Sequence, residues 1–190
     1  GLRITLVSPA SHTPYSGMLP GLVAGHYSFE QTHIDLARLC QWAGVRFVAS
    51  ELTALDPMNR VLQLAGRPPL EYDLLSIDIG SQPELDTVPG ARAHAVPVKP
   101  VENLAGVRQR LRSDPGRPQR VLVVGGGPAG VEVAANLARL ALRHGLNLSI
   151  TLADGGGRLL GRMPARAGRI AHQALLSHGV EVLLNCPITG

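Results

Sequence analysis

Gly125-Gly126-Gly127-Pro128-Ala129-Gly130 is the stretch whose residue types and spacing point most directly to chemistry. It satisfies G-x-G-x-x-G, follows the apolar run Val121-Leu122-Val123-Val124 and opens a segment of helical periodicity. Each glycine answers a separate need. Gly125 permits a tight turn, Gly127 lets the main chain approach a pyrophosphate, and Gly130 lets a helix pack close to its strand. The first amides of such a helix lack partners and carry partial positive charge, so Gly125, Gly127, Pro128, Ala129 and Gly130 read as a cradle for two linked phosphates. A ligand-free glycine turn shows the same letters; the strand–turn–helix context favours the cradle. Asp154 ends the next apolar run, at the separation expected of an acid that bonds a ribose 2′-hydroxyl, and reads equally as a turn residue before Gly155-Gly156-Gly157. A carboxylate there disfavours a 2′-phosphate, so the expected cofactor is NAD(P)H with NADH preferred, although Arg158 lies close enough in sequence to meet such a phosphate. Glu132 reads as reaching toward the nicotinamide or as a first-turn acid matched to the helix dipole.

The elements that must position these residues alternate. Arg3 to Val7 reads as a strand ended by Ser8-Pro9, and Ala10 to Tyr27 as a Gly/Pro-punctuated loop. Ser28 to Gln31 has capping-box spacing, and Ile34, Leu36, Ala37, Leu39, Cys40 and Ala43 give one helical face that stops at Gly44. A strand at Val45 to Ala49, a hairpin from Leu52 to Leu64 turning at residues 56–59, and a strand at Leu74 to Ile79 ending at Gly80 follow. From Ser81 to Arg120 the composition shifts to Pro, Gly and Arg, with one helix from Val101 to Leu111, and the domain boundary belongs there. Beyond it come a strand (Arg120 to Val124), a helix (Gly130 to His144) stopped by Gly145, a strand (Leu148 to Ala153), a helix opened by Pro164 and ended by Gly179, and a strand (Val180 to Leu184). Strands alternating with helical crossovers imply a parallel sheet wound right-handed. The expected fold is α/β, two Rossmann-like three-layer nucleotide-binding domains in tandem, residues 1–95 and 96–190, both incomplete.

Composition narrows the alternatives. Of 190 residues 45% are hydrophobic and only 3% aromatic, which suits a Val-rich parallel sheet under Ala/Leu helices. The net charge of +4 invites nucleic acid, but the arginine groups at 108–112 and 158–169 are not interleaved with aromatic residues that would stack on bases, so no nucleic-acid partner is expected. Cys40 and Cys186 share no C-x-x-C spacing, and His12, His26 and His33 match no standard metal site, so neither disulfide nor metal is expected and a cytoplasmic setting fits. The longest apolar stretch, residues 121–138, is too interrupted to span a bilayer, and no signal peptide opens the chain. A strand beginning directly after Gly1 looks like a cut.

With these residues in hand, the chain resembles the pyridine nucleotide-disulfide oxidoreductase family, its glycine loop matching the NAD motif. Tyr72 to Pro83 is similar to that family's second FAD signature, with Asp78-Ile79 where alanine and threonine are usual. His12-Thr13-Pro14-Tyr15-Ser16-Gly17-Met18-Leu19-Pro20-Gly21, followed by Ala24-Gly25, is similar to the flavin-side loop of type II NADH dehydrogenases, and more closely to a dehydrogenase-like module fused to selenide, water dikinase (selenophosphate synthetase). The resemblance implies an FAD-dependent NAD(P)H oxidoreductase: hydride passes from NADH to FAD and on to an acceptor such as a quinone or another small molecule. It implies FAD contacts at Ser8 and Pro9 (ribose), Met18, Leu19 and Pro20 (isoalloxazine), Leu52 (adenine), and Gly80 and Ser81 (pyrophosphate), with no catalytic residue assigned. It implies a partner domain of selenophosphate synthetase type; the cysteine usage fits the cytoplasm, with a place at a membrane surface as the alternative, and a sheet edge left open by a missing first strand would let two copies pair as a homo-oligomer. The family's first glycine-rich motif would precede Leu2. Ser16 and Gly17 stand where a redox cysteine would, which disfavours disulfide reduction because that chemistry needs a thiolate, and Cys40 reads as a small buried apolar residue. The rival reading is an NAD-binding regulatory or docking module without turnover, and the 190-residue piece by itself is expected to lack oxidoreductase activity.

Overall fold

In the computed structural model, which describes residues 1–100 and 102–189, the chain runs through strands β1 (Thr5–Ser8) and β2 (His12–Pro14), a 3-10 turn (Ser16–Met18), then α1 (Leu19–Ala24), α2 (Phe29–Thr32), β3 (His33–Asp35), α3 (Leu36–Ala43) and β4 (Arg46–Ala49). It continues through β5 (Leu52–Asp56), β6 (Val61–Leu64), β7 (Arg67–Glu71), α4 (Ala91–His94), α5 (Glu102–Arg112), β8 (Gln119–Val124), α6 (Pro128–His144), β9 (Leu148–Ala153), α7 (Ala165–Ser177) and β10 (Glu181–Leu183). Val101, where the helix before the glycine loop is expected to open, lies outside the described residues, as does Gly190. Two compact units form: residues 1–15 with 29–80, and residues 16–28 with 81–190.

In the first unit β1 and β4 pair in parallel, Thr5 opposite Arg46 and Ser8 opposite Ala49, and α3 packs on β4. The expected hairpin is present, its turn closed by Asp56, whose Oδ1 accepts the amide N–H groups of Met58 and Asn59 at 3.1 and 3.0 Å. The single helix expected after Ser28 is in fact two, α2 and α3, interrupted by β3. The reason is tertiary: residues 33–35 are drawn into an antiparallel pair with β2, His12 opposite Asp35, and the Asp35 side chain then caps α3 by accepting the Arg38 N–H at 3.0 Å. An Asp whose side chain competes for backbone amides starts a helix better than it continues one. Gly44 ends α3 in the left-handed region, φ 66°. Strand β7, which carries Pro68 and Pro69, is not among the expected elements; as the edge of the β5-β6-β7 meander it tolerates their missing N–H groups. The strand expected at Leu74 to Ile79 does not form. An apolar run becomes a strand only where a ladder partner exists, none pairs with it among the described residues, and Leu74 and Ile79 remain 93% and 83% exposed.

The second unit is built on three parallel strands in the order β10-β9-β8, joined by α6 and α7 as the alternating pattern requires. Its core gathers Leu140 from α6, Leu152 from β9, Leu159 from the following loop, Leu175 from α7 and Val180 before β10. The face of β8 that carries Leu122 and Val124 is open. The stretch expected as loop from Ala10 to Tyr27 contains β2 and α1. Pro20 sits at the start of α1 and Gly25 ends it at φ 76°, and α1 buries Val23 and Ala24 while packing on α5 and α6. The end of this short helix is tied by backbone and side chains together: the His26 N–H donates to Gly21 at 2.8 Å, Arg108 Nη1 to Leu22 at 3.1 Å, and Arg143 Nη1 to the cap residue Gly25 at 2.7 Å.

Candidate dinucleotide site

The parallel register of β8 and β9 sets Val124 opposite Ala153, so the residues that follow each strand, Gly125 and Asp154, emerge side by side at the carboxyl end of the sheet. In open α/β sheets ligands bind at that end. Gly125 donates its N–H to Ala153 at 2.8 Å and turns with φ 104°, a conformation that L side chains rarely adopt. Gly130 lies so close to the Gly125 carbonyl that a Cβ there would collide with its oxygen. Gly127 is exposed, extended at φ −72° and ψ −179°, and a Cβ on it would meet nothing within 4 Å. Nothing in the chain therefore requires glycine at 127, and the open space beside it is what an approaching phosphate needs. No side chain caps α6, leaving its first-turn amides to an external acceptor, and Pro128 and Ala129 beside them are exposed. The residues present fit a pyrophosphate.

Asp154 is half-buried and already engaged. Its Oδ2 accepts the Gly126 amide N–H at 2.6 Å and its Oδ1 the Gly156 amide N–H at 2.7 Å, so the turn reading and the proximity to the glycine loop both hold. A carboxylate has about four acceptor positions, which leaves room for a ligand hydroxyl. Gly126 is a site residue that the motif itself does not mark. It is buried, a Cβ on it would lie 2.7 Å from Leu159 Cδ2 and 3.0 Å from Asp154 Cγ, and its carbonyl accepts the Leu160 N–H at 2.8 Å. Only the run of three glycines hints at this. Arg158 is engaged locally: its guanidinium donates to the carbonyls of Met163 at 3.0 Å, Gly161 at 2.6 Å and Leu160 at 3.4 Å. Glu132 is exposed and, because α6 starts at Pro128 rather than Gly130, falls past the first turn, so the dipole no longer accounts for it.

In the first unit, Ser8 and Pro9 stand at the carboxyl end of β1, where the Ser50 N–H donates to Ser8 at 3.0 Å, and Leu52 opens β5 two residues further on. These three therefore share one end of the parallel β1/β4 pair. Gly80 closes the open stretch after Tyr72 at φ 71°. Met18, Leu19, Pro20 and Ser81 belong to the second unit, and Leu19 is buried against Leu22. Cys40 is buried in α3, as expected of a small apolar residue.

A family model described as pyridine nucleotide-disulphide oxidoreductase matches residues 1–190. The chain belongs to that family. Among curated relatives, this member is 30% identical over 194 residues to demethylphylloquinone reductase NdbB of Synechocystis, covering 98% of the chain and 47% of the relative. It is 24% identical to the mitochondrial external alternative NAD(P)H-ubiquinone oxidoreductase B1 of Solanum tuberosum, covering 98% of the chain and 38% of the relative. The fold is that of NDH2 from Plasmodium falciparum, solved in complex with NADH, with a TM-score of 0.84 at 21% identity over 99% of this chain and 44% of that one. The chain thus spans less than half the length of these relatives. The α/β nucleotide-binding architecture expected from the alternating pattern is the one found. No described helix is long and apolar enough to cross a membrane.

Proposed function

We propose that this chain is the nucleotide-binding part of an FAD-dependent NAD(P)H oxidoreductase, in which NADH sits on the Gly125 to Gly130 loop and delivers hydride to FAD, with a quinone or another small molecule as the final acceptor. The observation that carries the reading is the state of Gly127: an exposed glycine with an ordinary backbone conformation and empty space where its side chain would be, at the uncapped start of a 17-residue helix. The relatives named for NAD(P)H and quinone chemistry support it. Residues 96–190 take the NAD(P)H role and residues 1–95 the FAD role, with Ser8, Pro9 and Leu52 at the ribose and adenine end and Gly80-Ser81 at the pyrophosphate. Met18 to Pro20 meet the flavin ring, Leu19 through its main chain because its side chain is buried. Bound FAD would supply the redox chemistry, while the protein binds and orients.

NADH is preferred to NADPH because Asp154 would repel a 2′-phosphate and Arg158, the cation nearest in sequence, is engaged with three carbonyls. Free Cys40 and Cys186 support a reducing, cytoplasmic location. The loop from His12 to Gly21 supports a partner domain of selenophosphate synthetase type. The reading is tested on full-length protein: a flavin absorbance band that bleaches on adding NADH is expected, and a colourless protein, or a flavin that NADH leaves oxidised, rejects it.

A further inference from the structure

Gly126 is gripped on both edges of its backbone. Asp154 Oδ2 takes its N–H at 2.6 Å, the Leu160 N–H binds its carbonyl at 2.8 Å, and Leu159 lies against its Cα. The gripping loop is itself held: Asp154 Oδ1 binds the Gly156 amide, the Gly156 carbonyl accepts the Asn185 N–H at 2.9 Å, the Asp154 carbonyl accepts the Cys186 N–H at 2.9 Å, and Arg158 ties the carbonyls of Leu160, Gly161 and Met163. Three successive glycines have no side chains with which to anchor themselves, and glycine loses more conformational freedom on ordering than any other residue. The loop that must present its amides to a phosphate is thus ordered from outside, by the segment between β9 and α7.

We propose that Asp154 is a positioning residue for the glycine loop: by clamping the Gly126 peptide against Leu160 it sets the direction of the neighbouring Gly127 amide. It therefore controls affinity for the cofactor's pyrophosphate independently of any bond it makes to ribose. This rests on the reading of the loop as an NADH site. It differs from a ribose contact alone in one respect. A ribose contact matters only to ligands that carry the hydroxyl, whereas the clamp matters to every ligand that carries the pyrophosphate.

The test uses the full chain and two probes, NADH and the NADH analogue lacking the adenosine 2′-hydroxyl, titrated by nicotinamide fluorescence against wild type, Asp154→Asn and Asp154→Ala. The clamp predicts that Asp154→Ala weakens the 2′-deoxy analogue about tenfold or more, because two charge-assisted hydrogen bonds to backbone are lost, and weakens NADH by at least that factor, any excess measuring a ribose contact. Asp154→Asn should lose less, since its amide oxygen still accepts one of the two N–H groups. Amide hydrogen exchange without ligand supplies the readout that folding defects would not mimic: slow exchange at Gly126 in wild type, fast in Asp154→Ala, with Val123 in β8 unchanged in both. Affinity lost for NADH alone, or a Gly126 amide already unprotected in wild type, overturns the clamp while leaving the NADH reading intact. A wild-type chain that binds neither probe overturns the NADH reading and the clamp with it.

Discussion

The α-carbon of Gly130 stands against the carbonyl oxygen of Gly125, leaving no space in which a Cβ could be accommodated. This contact lets α6 start directly beyond the end of β8 and brings its first amides to the mouth of the glycine turn. The obstacle is backbone, not the tip of a flexible side chain, so relief requires the loop or the helix to move. Gly130→Ala should lower stability by about 1–3 kcal/mol and weaken NADH binding by an order of magnitude or more. Chemical denaturation and fluorescence titration measure the two effects, and unchanged affinity would show that the close approach does not shape the site.

Gly127 should separate ligand binding from folding. Its conformation suits any residue and its surroundings are empty, so Gly127→Val should leave the unfolding midpoint nearly unchanged, within about 0.5 kcal/mol. The same substitution should abolish measurable NADH binding by filling the phosphate's space. Intact affinity in a folded Gly127→Val protein would remove the principal support for the dinucleotide site.

Cofactor preference follows from the pairing of a carboxylate with an engaged arginine. NADH should bind at least about tenfold more tightly than NADPH, because the extra phosphate would meet Asp154 while Arg158, the cation nearest in sequence, is engaged with three carbonyls. Competition titration gives the ratio directly, and equal dissociation constants would contradict the arrangement of Arg158.

Leu140 is fully buried on α6, inside the core of the second unit. Leu140→Ala should cost about 2–5 kcal/mol through lost burial and the cavity left behind. Denaturant unfolding checks this; a loss under about 1 kcal/mol would mean that the core closes over the gap.

The hairpin turn should respond to acid. Asp56 is held below the ordinary carboxylate range chiefly by the Asn59 amide N–H, aided by the Asn59 side chain, which donates to Oδ2 at 2.7 Å. A depressed folded value means that the charged form's support is complete above the ordinary carboxylate pKa and is lost as the pH falls through the lowered one. An NMR titration of the Asp56 carboxyl should therefore show a midpoint lower than in Asn59→Ala. Identical midpoints would rule out the side-chain contribution, since the Asn59 backbone N–H is kept in the variant.

The alternation of apolar strands with helices from residue 120 onward was enough to determine the second half of the fold, because those signals are local: Pro164 at a helix start, Gly145 at φ 60° after α6, a Val-rich run before a glycine turn. The spacing of three glycines likewise marked the cradle, since each answers a constraint within about six residues. What lay beyond the sequence depended on partners distant along the chain. Whether residues 33–35 continued a helix was settled by β2, and whether residues 74–79 became a strand by the lack of a ladder for them among the described residues. The roles of Asp154 and Arg158 were open for the same reason: which amides or carbonyls a charged side chain meets depends on how the loop after β9 folds back over the loop after β8. Periodicity along one strand carries no information about that fold-back, and the hydrogen bonds that decide it join residues as far apart as Gly126 and Asp154.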